Sequence, residues 1–532
     1  MKINKRFNQI IKIIGIVCVA LLVILIYTSN TILKIEETVE FSKNNIFTII
    51  LLIAIFIIFY IFLDKINYIK LNKRTKNIIF IFLLIFYLIA QILWINIRKA
   101  YPIYDQYEVY NDAKIIAEGN INELVKNEYL QMYPHQITLI TFYALIFRIC
   151  GSTNVVILEY LNAIANTFTI LGLYLIAKII SDKQNTLNSF AVIFLSIAFI
   201  PLSMLSTFVY GDMLGLAFGV FSTYFVIKYV KLQKIKYLII SGILMSLACY
   251  CRTNMLIFFI ALTIYLFIDY IKYVSLIKED KINTKFNKVL KAIIKIILIF
   301  VFIIISVLPT NIVKSYMTSK LQLEKENQFP TIGHINHGIS YEGYRGPGWY
   351  VDKYFDEWKA NGHNNEVFKQ RAKSLINEYI HNPIMCFTFF INKIDSMWTE
   401  PTFGSIWYNT DYMKINDEDI TDEGVNSLTK FLEDYKYIFE IIGKIILIII
   451  YSSIFLLLIR NKNITNEQML LILIFLGGFA FQLFWEGKSR YVLPFVVMLI
   501  PLACVGIKEN IQWINSIINN IKTNYKQKKY DK

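Results

Sequence analysis

Charge is what this chain has least of. Only 17% of its 532 residues are Asp, Glu, Lys or Arg, and 56% are hydrophobic. A soluble protein of this size is near half apolar and about a quarter charged. The deficit excludes an ordinary water-soluble globule. Cysteine is scarce as well. Cys18, Cys150, Cys249, Cys251, Cys386 and Cys504 lie mostly in or beside apolar blocks, with no zinc or disulfide spacing. Cys249-Tyr-Cys251 reads as packing rather than a redox pair. There is no P-loop and no G-x-S-x-G elbow, and Gly211-Asp-Met-Leu-Gly-Leu-Ala-Phe-Gly219 reads as small-residue helix packing. No internal repeat is visible, which weighs against an inverted-repeat transporter. The basic start Met1–Arg6 before Ile10–Tyr27 mimics a signal peptide. Its apolar run is too long and no small-x-small site follows, so it reads as an uncleaved first span.

What the chain has is long apolar blocks, such as Ile46–Leu63 and Ile78–Ile97. Runs of about 18 or more apolar residues read as transmembrane helices. The net charge of +15 comes from Lys and Arg gathered in short loops. This is the signature of a cytoplasmic face rather than of a nucleic-acid partner. With the N-terminus inside, spans are expected near 10–27, 46–63, 78–97, 155–180, 189–208 and 213–230. Two more share Tyr237–Ile271, and the last four lie near 291–308, 441–459, 468–485 and 491–507. Ile137–Cys150 is too short to cross and is expected to lie in the outer interface. Basic loops that include Lys70, Lys183, Lys281 and Lys462 then fall on one side. The reading is an all-α polytopic membrane protein of about twelve spans. The region 309–440 is expected outside, with Gly-rich loops at Gly333–Gly338 and Tyr341–Trp349, a helix over Asn365–Ile380 and a membrane-surface helix over Pro383–Trp398.

The outer face collects the groups able to do chemistry. Asp105 and Glu108 follow span three in Tyr101-Pro-Ile-Tyr-Asp-Gln-Tyr-Glu108, ahead of Met132-Tyr-Pro-His-Gln136. On a helix the two acids share a face; in a loop they share a proton or a metal. A carboxylate beside a low-dielectric surface has its pKa raised, which suits a general base; the plainer reading is a solvated acidic loop. Asp212 is either a site acid or a helix cap. Arg252 either snorkels or pairs with an anion such as a lipid phosphate. Arg490 either binds phosphate or pairs with Glu486. Glu400 reads as a solvated acid, and His135 as a polar cavity contact or a loop residue. His334-x-x-His337 lacks a third ligand and does not define a metal site.

The order of these features resembles the GT-C superfamily of integral-membrane glycosyltransferases, and within it the bacterial protein-mannosyltransferase-like branch related to family 39. The likeness is carried by the acidic loop at Asp105 and Glu108, the interfacial helix ending Phe147-Arg-Ile-Cys-Gly151, and Tyr210-Gly-Asp212. Tyr250-Cys-Arg-Thr-Asn254 and Trp485-Glu-Gly-Lys-Ser-Arg-Tyr-Val-Leu-Pro494 complete it. The chain departs in having two extra leading spans and Asp-Gln-Tyr-Glu in place of adjacent acids. The resemblance implies a GT-C-like bundle and a sugar donor on polyprenyl phosphate, with no nucleotide sugar. Asp105 would be the base, Arg252 and Arg490 would hold the phosphate, and Glu108 and Asp212 would orient acceptor, donor or a divalent ion. His135 and Glu486 join the expected binding residues. The acceptor stays open between envelope polymer, lipid and protein, and so does metal dependence. The expected location is the cell membrane. The expected organisation is N-terminal spans 1–97, an external catalytic loop with interfacial helix 98–153, a transmembrane core 154–308, an external loop domain 309–440, C-terminal spans 441–508 and a cytoplasmic basic tail 509–532. The rival readings are a polytopic transporter or lipid flippase, for which mid-span charges would speak, and a scaffold or envelope-polymer ligase.

Overall fold

A computed structural model describes residues 2–34, 36–67, 72–99, 101–181, 186–279, 285–410, 423–461 and 463–530. Lys70, Lys183, Lys281 and Lys462 lie outside them. The chain opens with α1 (Lys2–Thr28), a hairpin of β1 (Ser29–Leu33) and β2 (Val39–Lys43), α2 (Ile46–Asn67) and α3 (Lys73–Arg98). The hairpin is antiparallel, with Ser29 opposite Lys43 and Leu33 opposite Val39. Next come α4 (Asp105–Glu118), α5 (Glu128–Met132), α6 (Ile137–Cys150), α7 (Val156–Ile180), α8 (Thr186–Ala198) and α9 (Ile200–Met204). Then follow α10 (Asp212–Leu232), α11 (Ile235–Cys251), α12 (Leu256–Glu279) and α13 (Lys285–Lys320). Between α13 and α20 lie the shorter helices α14 (Thr331–Ile339), α15 (Asp352–Ala360), α16 (Glu366–His381), α17 (Pro383–Trp398), α18 (Trp407–Thr410) and α19 (Glu423–Asp434). The chain closes with α20 (Lys436–Arg460), α21 (Asn466–Phe484), α22 (Ser489–Val497) and α23 (Ile500–Tyr530).

Among the described residues, nine helices are long and apolar enough to cross a membrane, and α22 with Ile500–Ile517 of α23, bent by 53°, makes a tenth. The two other expected crossings fall on shorter pieces, the 17-residue α11 and the 13-residue α8 with its continuation α9. The breaks in α8–α9 and α22–α23 each precede a proline, Pro201 and Pro501. Proline has no N–H to donate and biases the residue before it away from helix.

Contacts sort the helix ends into two sets. At one end, Asn8 of α1 bonds Asn466 of α21, Asp64 of α2 accepts from Asn515, and Lys231 of α10 meets Glu467 at 3.8 Å. At the other end, Asp212 opening α10 meets Arg252 just past α11, and Ser29 after α1 donates to Asp395 of α17. Among the described residues, nine or ten spans stand on length and composition, against the twelve expected. Only 17% of the apolar windows of α2, α3 and α13 is buried, against 72% for α20. The former therefore face lipid and the latter is core.

The helix α6 has the bounds expected of the interfacial segment. At 14 residues it is about 21 Å long, short of the roughly 30 Å hydrocarbon layer. It buries Ile140, Tyr143, Ala144 and Phe147 and packs on α4. Arg148 donates to the carbonyl oxygens of Ile116 (2.6 Å) and Ala117 (3.2 Å). It thus adds a donor to the last carbonyl oxygens of α4, where the helix ladder ends. The expected surface helix α17 splits in two: Ile384 and Phe387 are exposed, while Lys393 through Trp398 are buried. The expected Gly-rich loop at Gly333–Gly338 is instead the helix α14. A Cβ on Gly333 would come within 2.6 Å of Phe329, and one on Gly338 within 2.3 Å of the Phe484 carbonyl oxygen. These glycines serve close packing rather than a loop.

Candidate active site

Asp105 opens α4, where the positive end of the helix dipole favours a carboxylate. The preceding Tyr104 holds φ 48°, ψ −132°. This is a strained conformation for a residue with a side chain, costing about 1–3 kcal/mol, and it turns the chain sharply into the helix. The Asp105 carboxyl is reachable by solvent yet surrounded by protein groups. Burial pushes its pKa above the usual carboxylate value, against the pull of Arg490, Lys488 and the Tyr210 hydrogen bond. Tyr210 Oη donates to Asp105 Oδ2 at 3.3 Å. Tyr210 also accepts from Gln136 Nε2 at 2.7 Å and lies 3.1 Å from Tyr129 Oη.

The other half of the cluster is cationic. Asp212 is 4% exposed and takes Arg252 Nε on Oδ1 at 3.2 Å and Arg490 Nη1 on Oδ2 at 3.1 Å. The Arg252 contact lies within ion-pair reach but is not aligned as a hydrogen bond. Gly211 makes this geometry reachable. It has φ 80°, and a Cβ there would sit 2.2 Å from the Cys251 carbonyl oxygen. The start of α10 and the end of α11 thus touch backbone to backbone. The Arg252 guanidinium carbon lies 4.7 Å from the centre of the Tyr210 ring. That of Arg490 lies 4.0 Å from Phe208, 5.0 Å from Tyr408 and 5.5 Å from Tyr210. Tyr210 therefore touches the acid and both cations.

The turn between α21 and α22 completes the site. Glu486 pairs with His334 Nδ1 at 3.1 Å. Burial acts to raise the Glu486 pKa, but the hydrogen bond and charge of His334 hold it below the usual value. Lys488 pairs with Glu37 from the N-terminal hairpin and stands 4.5 Å over the Trp407 ring. Gly487 N donates to Gly348 O at 2.7 Å. Below the turn, the buried Lys393 donates to the carbonyl oxygens of Gly338, Leu483 (3.0 Å) and Trp485 (2.8 Å). Burial lowers its pKa to about 7. These bonds fasten the turn to α17 and the end of α14. No three His, Cys, Asp or Glu residues among the described residues converge as a metal site. A cavity of about 560 Å3 lined by Arg460, Lys508, Gln512 and Trp513 lies at the opposite end of the bundle, remote from the cluster.

Residues 137–308 match the family described as dolichyl-phosphate-mannose-protein mannosyltransferase. This match over part of the chain supports a GT-C-like membrane glycosyltransferase. No curated protein matches it. The matched stretch contains Asp212 and Arg252, whereas Asp105 precedes it and Glu486 and Arg490 follow it. Contacts across the bundle unite the three parts.

Of the residues singled out in the sequence, Asp105, Asp212, Arg252 and Arg490 form one cluster. Asp212 makes no side-chain cap; its two oxygens go to the two arginines. Arg252 is 9% exposed and pairs with Asp212 rather than snorkelling. Arg490 pairs with Asp212 and Glu486 with His334, not with each other. His135 lies at the margin, 3.3 Å from Gln136 Nε2. Burial pushes its pKa down to about 3, which keeps the imidazole neutral. Glu108 sits one turn along α4, outside the hydrogen-bonded cluster; burial and then repulsion from Asp105 raise its pKa. Glu400 is not a solvated acid: it is fully buried, taking Thr402 N at 2.8 Å and Gly404 N at 3.0 Å to brace a turn. Sequence reasoning assigned no role to Tyr210, Gln136 or Lys488, although each lies in a motif it quoted. Glu37 carried no signal, because its partner Lys488 is far away in the chain.

Proposed function

We propose that the glycosyltransferase moves a sugar from a polyprenyl-phosphate donor to a hydroxyl of an envelope acceptor at the outer face of the cell membrane. The observation that carries this reading is the single cluster in which Asp105 and the Asp212-bound pair Arg252 and Arg490 meet around Tyr210. A base and two guanidinium groups at that spacing suit transfer from a phosphate leaving group. The acceptor hydroxyl gives its proton to Asp105 while its oxygen bonds to the anomeric carbon. The bond from that carbon to the phosphate oxygen breaks, and its electron pair leaves with polyprenyl phosphate. Attack opposite the leaving group inverts the anomeric centre. Arg252 and Arg490 meet the charge that grows on the departing phosphate, where planar guanidinium donors suit its oxygens. Asp212 holds both arginines in place before the donor arrives.

The family description supports a hexose, mannose among them, carried on a polyprenyl phosphate. Glu108, His135 and Glu486 serve as walls of the acceptor and donor space, and the region 309–440 covers it. Lys231, Lys295, Arg460 and Lys508 lie toward the bundle end opposite the cluster. Such a bias supports a cytosolic opposite end and an external site. Asp105→Asn is the direct test. Purified protein in liposomes, given labelled polyprenyl-phosphate mannose and cell-envelope fractions, should lose transfer about a hundredfold or more, with folding and membrane insertion unchanged. Full transfer by this variant would remove Asp105 as the base.

A further inference from the structure

Tyr210 has one proton to give and two oxygen lone pairs to receive with. Its proton goes to Asp105 Oδ2. Gln136 Nε2 has no acceptor capacity and therefore donates to the Tyr210 oxygen at 2.7 Å. The contact between Tyr129 and Tyr210 at 3.1 Å allows either to donate. With the Tyr210 proton already committed, Tyr129 must be the donor. The Tyr210 oxygen is then fully used, and its proton has one direction left. We propose that Tyr210 is a positioning residue: its hydroxyl, oriented by Gln136 and Tyr129, holds Asp105 Oδ2 and leaves Oδ1 for the acceptor hydroxyl. This inference rests on the base role of Asp105 proposed above.

Two further observations support it. Tyr210 lies under the Arg252 guanidinium at 4.7 Å, so the ring that steadies the acid also backs the cation on the phosphate side. Tyr210 itself is held in place by its neighbours: Val209 N donates to Gln106 Oε1 at 2.9 Å, and Gly211 N to Tyr143 Oη at 3.1 Å. The phenol is buried, which raises its pKa well above the ordinary value, so it stays a donor across the working range. At 3.3 Å the bond to Asp105 is long for O–H···O, as catalytic hydrogen bonds often are before substrate binds.

The charged groups acting on Asp105 come from several elements. Arg490 and Lys488 favour its anion, while Glu486 opposes it. Glu108, on the same helix, also opposes it. The phenols of Tyr129, Tyr133 and Tyr350 are held neutral by burial. Against that background, Tyr210→Phe removes one donor to the anion while keeping the ring under Arg252. A hydrogen bond to an ionised group is worth about a tenfold change in its ionisation, or about one pH unit.

The experiment compares the full-length protein with its Tyr210→Phe, Tyr129→Phe and Asp105→Asn variants in liposomes. Transfer from saturating labelled polyprenyl-phosphate mannose to envelope fractions is followed from pH 5 to 9. Tyr210→Phe should move the acid limb of kcat upward by about one pH unit. Tyr129→Phe should move it the same way by less, and Asp105→Asn should lose transfer about a hundredfold or more. Should Asp105→Asn lose transfer so while the limb of Tyr210→Phe stays at the wild-type pH, with or without a lower rate, Tyr210 is overturned and Asp105 stands. Full transfer by Asp105→Asn would instead overturn the base assignment and the Tyr210 proposal with it.

Discussion

Two carboxyls on α4 show how burial sets the behaviour of single residues. Asp105 is raised above the usual carboxylate value but has Tyr210, Arg490 and Lys488 to favour its anion. Asp112, two turns on, is 1% exposed, and its Oδ2 has no hydrogen-bond partner. Burial, with Glu108 adding repulsion, raises its pKa from 3.8 to about 7. A folded-state pKa raised above the unfolded one favours the folded protein at low pH, and that advantage is lost as pH rises through the folded value. Asp112→Asn mimics the protonated form. It should therefore raise the thermal midpoint at pH 8, and the gain should shrink toward pH 4; an equal shift at both pH values would refute the assignment. The spacing 105, 108, 112 was visible in the sequence. What was not visible is that the fold buries Asp112 and leaves Asp105 accessible, because burial belongs to the neighbours and not to the residue.

At the level of elements, the junction of α10 and α11 decides whether the cations meet their carboxylate. Gly211 combines a left-handed φ with contact to the Cys251 carbonyl oxygen. A side chain there costs about 1–2 kcal/mol for the backbone alone, before the clash is counted. Gly211→Ala should therefore lower the thermal midpoint and also weaken transfer, because Asp212 and Arg252 flank the contact. Unchanged stability would mean that the backbones do not approach in this way. The bounds of α6 and α17 were legible, since length, apolar run and flanking proline or glycine are local signals. Gly333 to Gly338 misled for an equally physical reason. Glycine marks a loop only where the backbone needs its freedom, and here the aromatic side chain of Phe329 and the turn at Phe484–Trp485 need its small size.

Across the whole molecule, the helical bundle separates a cluster of acids, arginines and aromatics from an end that holds Lys231, Lys295, Arg460 and Lys508. The extra pair of leading spans has a place in this arrangement. The hairpin between them supplies Glu37, which pairs with Lys488 and with Arg345 Nε at 2.9 Å. Sidedness can be read by labelling intact cells that carry a cysteine-free form of the protein. An impermeant maleimide should modify a cysteine placed at the exposed Tyr344 and should reach one at the exposed Lys234 only after lysis. The reverse pattern would place the cluster in the cytosol and end the proposed external transfer.

The sequence by itself determined the class of molecule. Apolar run length sets how many segments suit a bilayer, and the clustering of Lys and Arg divides their ends into two sets. Both signals are carried along one dimension and need no partner. Tertiary packing alone decided the site. Asp212 and Arg490 stand 278 positions apart, and Asp105 and Tyr210 stand 105 apart. A buried carboxylate settles on whichever cation or hydroxyl the folded helices bring within about 3 Å, and that choice is made in three dimensions.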